Sequence, residues 1–434
     1  MNKTIIFLIF FLFITSCSLN KNSKFWTASQ KITEENNSNF KKIFLEDDKL
    51  EEELNTNFLI DVGNIFNDNS KTKHFFNNDG RLNYAGILKK SSRFKFSRIE
   101  NFHQFEPQIS FHDRNILFFD NKGSILKFDN NSKLIWKKNY YSKNEKKLKP
   151  ILQFAKDGKT LVVADNIAKY YALNLNNGEM IWSKSNLAPF NSQIKIYKNK
   201  FFIIDFSNTL RCFSLKNGKE LWNVKTENSL ILSQKKLSMV IVKDVLYFKN
   251  SIGDISAVNI TEGELLWQLP TQSSSIYKTA FSLETSDLVT DGKTLFFSNN
   301  KNQFFSVDLV SGSFNWENKV NSSLRPSLVG NYIFTISLEG YLIVIEKNSG
   351  NIIRVTDIFG DYKKKQREKI KPVGFIVGVR NIYLTTDHGR LMIIDIKSGR
   401  TKSILKLDNE KISRPFILNE NLYVVKDNAI IKLD

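Results

Sequence analysis

A short motif recurs along this 434-residue chain at intervals of 38 to 49 residues, and it restricts the possible folds more than any other feature. In its full form, a glycine is followed four residues later by a tryptophan. The full copies are Gly178/Trp182, Gly218/Trp222, Gly263/Trp267 and Gly312/Trp316. Trp136 belongs to an earlier copy that lacks the glycine, and Gly350 and Gly399 begin later copies that lack the tryptophan. A repeat of this length is typical of the four-stranded blades of a β-propeller.

Each copy also has the pattern of short antiparallel strands. Apolar runs of four to six residues, rich in β-branched and aromatic side chains, alternate with turns that contain glycine, asparagine or aspartate. Such alternation predicts a meander of strands. The motif glycine would adopt a positive φ in the last turn, and the tryptophan would then start the outermost strand and pack against the neighbouring blade. We therefore interpret the five motif tryptophans and their glycines as structural residues.

The number of copies predicts the number of blades. Seven copies begin near Pro107, Pro150, Ser192, Leu237, Phe281, Pro326 and Pro372. An eighth begins at Arg414 and holds only two strands, 417–425 and 429–433, so it needs strands from the start of the domain, which segment 83–101 can supply. Closing the ring in this way removes exposed sheet edges. We predict an all-β, eight-bladed propeller over residues 91–434, with seven blades as the alternative.

The first seventeen residues have the features of an export signal. Lys3 precedes an apolar run of ten residues, 5–14, which is too short to span a bilayer, since spanning takes roughly 20 residues. The run ends in Ile14-Thr15-Ser16-Cys17, which resembles a bacterial lipobox. That resemblance implies a signal peptide over residues 1–16 and acylation of Cys17, and Ser18 after it favours the outer membrane. The alternative is an ordinary cleaved signal with an incidental cysteine.

Residues 17–90 show no clear period and are rich in asparagine, lysine, serine and acidic residues. This composition predicts a largely irregular tether, with a short amphipathic helix near 40–55 as the alternative. The whole chain has a formal net charge of +19. We attribute this charge to lysines spread over solvated faces; the alternative is attraction to an anionic surface. The export signal argues against nucleic acid as a partner.

Motifs for catalysis or metal binding are absent from the sequence. The histidines His74, His103, His112 and His388 lack metal-ligand spacing. No nucleophile elbow or phosphate-binding loop occurs, and Cys212 is predicted to be a small buried apolar residue. We therefore expect no catalytic residues, no metal, no cofactor and no enzymatic activity.

The blades resemble the PQQ-type propeller repeat. With the lipobox, the tether and the closing segment 414–434, the chain resembles the BamB family, lipoproteins of the outer-membrane β-barrel assembly machinery, over roughly residues 91–434. The tether is longer than that family leads us to expect. The resemblance implies a monomeric scaffold within a complex, anchored by lipid on the periplasmic face of the outer membrane, that binds the barrel-inserting subunit BamA.

The resemblance also implies where the partner binds. The family's contact lies in two loops, which correspond here to 226–236 and 269–284. Leu230 and Leu232 match its apolar part, and Glu284 matches one of its two acids. Serine occupies the position of the second acid, and lysines replace the arginine of the first loop. Alternatively, the two leucines simply begin a strand.

Two other functions use the same repeat. A quinoprotein dehydrogenase would place PQQ on the propeller axis beside a calcium ion, which needs six to eight oxygen ligands. The chain has no adjacent cysteine pair and no concentrated acidic cluster in its repeats, which argues against this function. A different envelope lipoprotein could use the propeller to bind a polysaccharide or another protein.

Overall fold

The computed structural model describes residues 52–67, 69–226, 235–271 and 283–434, all within one compact unit. These residues form eight antiparallel sheets of four strands each, which follow one another along the chain. The prediction of an all-β propeller with eight blades is confirmed. No helix in the described ranges is long and apolar enough to cross a membrane.

The first four blades are each built from four consecutive strands. Blade 1 contains β2 (Ser110–His112), β3 (Asn115–Phe119), β4 (Ile125–Phe128) and β5 (Leu134–Lys138). Blade 2 contains β6 (Leu152–Asp157), β7 (Thr160–Asp165), β8 (Lys169–Asn174) and β9 (Met180–Ser185). Blade 3 contains β10 (Lys195–Tyr197), β11 (Lys200–Ile204), β12 (Thr209–Ser214) and β13 (Glu220–Lys225). Blade 4 contains β14 (Met239–Val242), β15 (Val245–Lys249), β16 (Ile255–Asn259) and β17 (Leu265–Leu269).

The next three blades repeat this order, and within the described ranges three short helices connect or precede blades. Blade 5 contains β18 (Val289–Thr290), β19 (Thr294–Asn299), β20 (Gln303–Asp308) and β21 (Phe314–Asn318). Blade 6 contains β22 (Ser327–Val329), β23 (Tyr332–Ile336), β24 (Tyr341–Glu346) and β25 (Ile352–Asp357). Blade 7 contains β26 (Pro372–Val377), β27 (Asn381–Thr386), β28 (Arg390–Asp395) and β29 (Thr401–Lys406). The helices are α1 (Ser70–Phe75), α2 (Lys143–Lys147) and α3 (Lys364–Arg367), and a 3₁₀ turn spans Phe102–Gln104.

Blade 8 joins the two ends of the propeller. Its strands are β30 (Phe416–Leu418), β31 (Asn421–Lys426), β32 (Ala429–Leu433) and β1 (Lys90–Lys95), with β1 outermost and paired to β32. The interpretation of 417–425 as a single strand is wrong. Asn419 and Glu420 both have positive φ, 47° and 59°, and form the hairpin turn between β30 and β31.

The motif tryptophans each lie at the third position of an outermost strand, where the ring is half-buried. Each ring covers the motif glycine of the next blade: a Cβ on Gly218, whose φ is +67°, would lie 2.6 Å from the Trp182 ring. The Trp182 indole nitrogen donates to the carbonyl of Leu215 at 3.0 Å. The same packing on glycine and the same hydrogen bond recur at Trp222, Trp267 and Trp316. The glycine is required because this backbone conformation strains other residues and leaves no room for a side chain.

Replacing one of these rings tests its contribution to stability. Trp182→Ala is expected to lower the free energy of unfolding by about 3 kcal/mol, because it leaves a cavity over Gly218 and an unpaired carbonyl at Leu215. The control is Ile181→Ala, whose side chain is 51% exposed, with an expected change of about 0.5 kcal/mol or less. Urea unfolding of both variants measures the difference. Equal midpoints for the two variants would contradict this role for the ring.

Residues 52–89, which we call the strap, lie against the propeller with little regular structure of their own. Leu54 pairs with Val355 in the outermost strand of blade 6, with both backbone hydrogen bonds at 3.0 Å. Ile60 and Val62 are buried in the core between blades 6 and 7. From the sequence, this stretch is predicted to belong to the tether, because its apolar residues show no regular spacing. Their burial comes from contacts with distant blades, which a local pattern does not reveal.

Arg354 occupies the tryptophan position of blade 6 and is fully buried. Its guanidinium lies over Gly399 of blade 7 and donates to the carbonyls of Ile396, at 3.4 Å, and Lys397. The same group donates to the carbonyl of Phe58 in the strap at 3.1 Å. Burial lowers the pKa of Arg354 to about 10. Arg354 thus takes the place of the tryptophan ring at the junction of blades 6 and 7, and the strap covers its side chain.

Candidate functional site

A funnel-shaped cavity of about 1110 Å³ lies on the axis that the blades surround. Its walls come from the connections between successive blades, which include Lys235 and Glu284, and from the turns between second and third strands, which include Phe206 and Asn300. In a propeller these two sets of loops share one face. The funnel therefore opens on that face, which we call the funnel face.

The opposite end of the axial channel is closed by residues 75–82 of the strap, which we call the axial loop. On entry, the Phe75 ring packs edge-on against Tyr197, the last residue of β10, with 5.4 Å between ring centroids. On exit, the Leu82 amide donates to the carbonyl of Val377, the last residue of β26, at 2.8 Å. Because both strands end on the face opposite the funnel, the loop enters and leaves through that face.

Asn77, at the tip of the axial loop, is bonded to three blades at once. Its amide nitrogen lies 3.2 Å from both Gln193 Oε1 of blade 3 and Ser238 Oγ of blade 4. It also lies 3.0 Å from the carbonyl of Met239 and 2.9 Å from that of Leu288, which precedes blade 5. The Asn77 side chain is buried, and its hydrogen bonds hold the loop tip at the starts of the innermost strands.

Asp79 connects the same tip to blades 6 and 8. Its carboxylate contacts the Arg414 guanidinium directly and lies 3.6 Å from the Arg325 guanidinium. Burial alone would raise the pKa of Asp79, but Arg414 and Arg325 hold the pKa below its usual value. The loop therefore supplies the carboxylate that two inward-pointing arginines need.

A small lower chamber of about 30 Å³ lies between the funnel and the axial loop, and charged side chains line it. Arg325 Nε is 2.6 Å from Asp287 Oδ2, and Lys235 Nζ is 3.1 Å from Glu106 Oε1. Arg325 keeps the pKa of Asp287 well below its usual value, although burial opposes that shift. The chamber is thus lined by ion pairs that are largely shielded from solvent.

Three further lysines near the axis are held by neutral oxygens. Lys195 donates to Asn77 Oδ1 at 2.6 Å, Lys236 to Gln153 Oε1 at 3.0 Å and Lys249 to the carbonyl of Ser286 at 2.5 Å. Burial lowers the pKa of Lys195 and of Lys249 to about 7, and that of Lys236 to about 8. Among the residues that the structure describes, no carboxylate forms an ion pair with any of the three. Burial therefore disfavours the charged form of these three lysines, and in the described part of the chain only neutral oxygens accept their hydrogen bonds.

Of the three residues predicted to bind a partner, only Glu284 lies within the described residues. Leu230 and Leu232 lie outside the described residues, as does Cys17. Glu284 lies within the described residues and is half-buried at the funnel wall, where its backbone N–H donates to Asn300 Oδ1 at 2.9 Å. Its carboxylate accepts a hydrogen bond from Ser323 at 3.3 Å. Glu284 thus lies on the funnel face, as does Lys235 at the described end of the other predicted loop.

The axial residues were not found by sequence reasoning. Arg325 and Arg414 each precede the proline at the start of a blade repeat. This shared position in the repeat could have indicated that both side chains face the axis. Asp79 lies in a stretch without a repeat, so nothing in the sequence connects it to them. No group of three or more histidine, cysteine or acidic side chains suited to a metal ion occurs in the described part of the chain.

Comparison with known proteins gives a family match. The sequence profile described as outer membrane protein assembly factor BamB matches residues 121–356. The outer membrane protein assembly factor BamB of Shewanella oneidensis is 23% identical over 312 residues, which are 66% of this chain and 72% of that protein.

Solved structures share the fold. BamB from Moraxella catarrhalis superposes with a TM-score of 0.65 at 14% identity, covering 80% of this chain and 100% of that one. Quinohemoprotein alcohol dehydrogenase from Comamonas testosteroni gives a TM-score of 0.64 at 9% identity, covering 83% of this chain and 78% of that one. At such identities the similarity shows the propeller fold alone.

Proposed function

This chain belongs to the family of outer membrane protein assembly factor BamB, and from that membership we propose that it is a scaffold of the outer-membrane assembly machinery. The observation that carries the proposal is the family match, which spans more than half of the chain. The scaffold would bind a BamA-like subunit and would not catalyse a reaction. It would be anchored through a lipid on Cys17 to the periplasmic face of the outer membrane.

The position of the loops supports a contact on the funnel face. The loops 226–236 and 269–284 connect blade 3 to blade 4 and blade 4 to blade 5. Their described ends, Lys235 and Glu284, both line the funnel. A partner that binds these loops would therefore approach the side of the propeller away from the axial loop.

The axis itself also favours a scaffold over a quinoprotein dehydrogenase. Residues 77–79 fill the lower part of the axial channel, and the described part of the chain has no group of three or more histidine, cysteine or acidic side chains that could hold the calcium ion of such an enzyme. The arginines that face the axis are engaged with Asp79 and Asp287. These contacts join five blades, 3, 4, 5, 6 and 8, through one loop and its ion pairs, which suits a rigid binding platform.

Charge substitutions in the first loop test the proposed contact. Leu230→Asp and Leu232→Asp together are expected to reduce capture of the BamA-like subunit at least about tenfold, since buried charges at an interface cost more than 1.4 kcal/mol. Affinity capture from detergent-solubilised membranes measures the effect, with thermal unfolding as the check on folding. The matched control is Leu187→Asp, a leucine that is 99% exposed in the connection between blades 2 and 3. Undiminished capture by the double variant would exclude these residues from the contact.

Identification of the partner is a separate experiment. Crosslinking of the full chain in native membranes, followed by mass spectrometry, is expected to recover the BamA-like subunit with its companions. Recovery of a different envelope protein or of a polysaccharide in its place would favour the alternative lipoprotein function.

A further inference from the structure

We propose that the floor of the funnel is a binding site for a small oxyanion group, a carboxylate or a phosphate, held by Lys236 and Arg414. This site goes beyond the scaffold function and does not depend on it. The funnel above the floor has room for the remainder of a small ligand, and the lower chamber has room for only a few atoms.

The first argument is unused hydrogen-bonding capacity. Arg414 contacts Asp79 through Nη2, whereas its Nε–H is buried and has no acceptor among the described residues. Lys236 has one neutral partner there, Gln153 Oε1, although an ammonium group has three donors. Both side chains line the lower chamber. Unpaired buried donors are costly, so an acceptor that enters the chamber gains their hydrogen bonds.

The second argument is the balance of charge. The lower chamber is lined by four cationic side chains and two carboxylates. The cations are Lys235, Lys236, Arg325 and Arg414, and the carboxylates are Glu106 and Asp287. When Asp79, which lies below the chamber, is included, there are four cationic and three anionic side chains, a net charge of one positive unit. This count leaves out the nearby Lys195 and Lys249. Burial lowers the pKa of Lys236 to about 8, although Asp287 and Glu106 favour its charged form.

The third argument is access. Lys236 lines both the lower chamber and the funnel, so a group that enters from the open funnel face can reach it. Phe105, Phe190 and Phe206 line the funnel above. The funnel lining also holds four lysines and four carboxylates, so its charges balance and the excess of positive charge lies in the lower chamber. The funnel thus selects ligands with an anionic end and a body that tolerates aromatic neighbours.

Calorimetry on the full chain, purified in detergent, tests the site with three probes. Inorganic phosphate and N-acetylglycine carry the two oxyanions, and N-acetylglycinamide is the neutral control. We expect at least one oxyanion to bind with a dissociation constant of about 1 mM, while the neutral amide does not bind. Comparison of the phosphate and carboxylate results identifies which oxyanion the site prefers. Heats no larger than those of sodium chloride at equal ionic strength would overturn the proposal.

Variants locate the binding. Lys236→Gln is expected to weaken oxyanion binding about tenfold, because it removes one charge-assisted hydrogen bond. Lys236→Arg keeps the charge and is expected to retain binding. Lys371→Gln makes the same charge change at an exposed lysine of the funnel wall and is expected to leave the affinity unchanged. Equal affinity in Lys236→Gln and the unaltered protein would also overturn the proposal, and circular dichroism of each variant verifies that it is folded.

Discussion

Asp79→Ala is expected to lower the free energy of unfolding by about 3 kcal/mol, because it leaves Arg325 and Arg414 without the carboxylate that they share. All three side chains are at least three-quarters shielded from solvent. Without the ion pairs of Asp79, the tip of the axial loop would be held less firmly. The hydrogen bonds of the nearby Asn77 to three blades would weaken as a result. Urea unfolding, followed by tryptophan fluorescence, measures the change in midpoint.

A surface ion pair provides the control for this effect. Asp244→Ala removes a pair with Lys198 in which both side chains are more than half exposed, and its expected effect is below about 1 kcal/mol. The pH dependence gives a second check. Because the folded-state pKa of Asp79 is lowered, its contribution is present above the ordinary carboxyl pKa and is lost as the pH falls below about 4. The Asp79→Ala variant and the unaltered protein should therefore converge in stability in acid; a constant difference would contradict the ion-pair explanation.

Arg354→Ala is expected to lower the free energy of unfolding by a similar amount, about 3 kcal/mol. The change empties a fully buried position and leaves the carbonyls of Phe58 and Lys397 without their donor. It also removes one of the contacts between the strap and blade 6, and leaves the Leu54–Val355 pairing as another. Urea unfolding measures the stability, and hydrogen exchange at the Leu54 and Val355 amides reports whether the strap separates.

Arg354→Trp is the informative companion, because it restores the residue that the repeat has at this position. The indole should pack on Gly399 as the other rings pack on their glycines, and it should recover part of the lost stability. It has no donor for Phe58, so exchange at Leu54 should remain fast. Slow exchange at Leu54 in this variant would show that Arg354 is not what fastens the strap.

The sequence predicted the blades well because each blade is a local unit. The Gly–Trp spacing, the apolar runs and the turn residues all lie within one repeat, and the incomplete copy after Arg414 indicated that the ring closes with an N-terminal strand. The details that failed were also local. The Asn419-Glu420 turn lacks glycine, so the two strands that it separates were interpreted as one.

The axial site could not be predicted in the same way. Asp79 and Arg414 are separated by most of the chain, and the contact between them depends on the closed ring. The strap residues Ile60 and Val62 are apolar but too few and too irregularly spaced to indicate what they contact. Contacts between residues that are far apart in the chain produce no regular spacing that could be recognised in a single sequence.

The pairing of β1 with β32 has a consequence for biogenesis. These are the first and last strands of the propeller, and residues such as Phe94 and Ile430 become neighbours only after nearly the whole polypeptide has been delivered. Until then, β1 has no partner strand and can pair with other chains, and joining such distant segments is slow. Folding of this protein therefore ends with an interval in which β1 is still unpaired, and a chaperone that shields unpaired strands would have its largest effect during that interval.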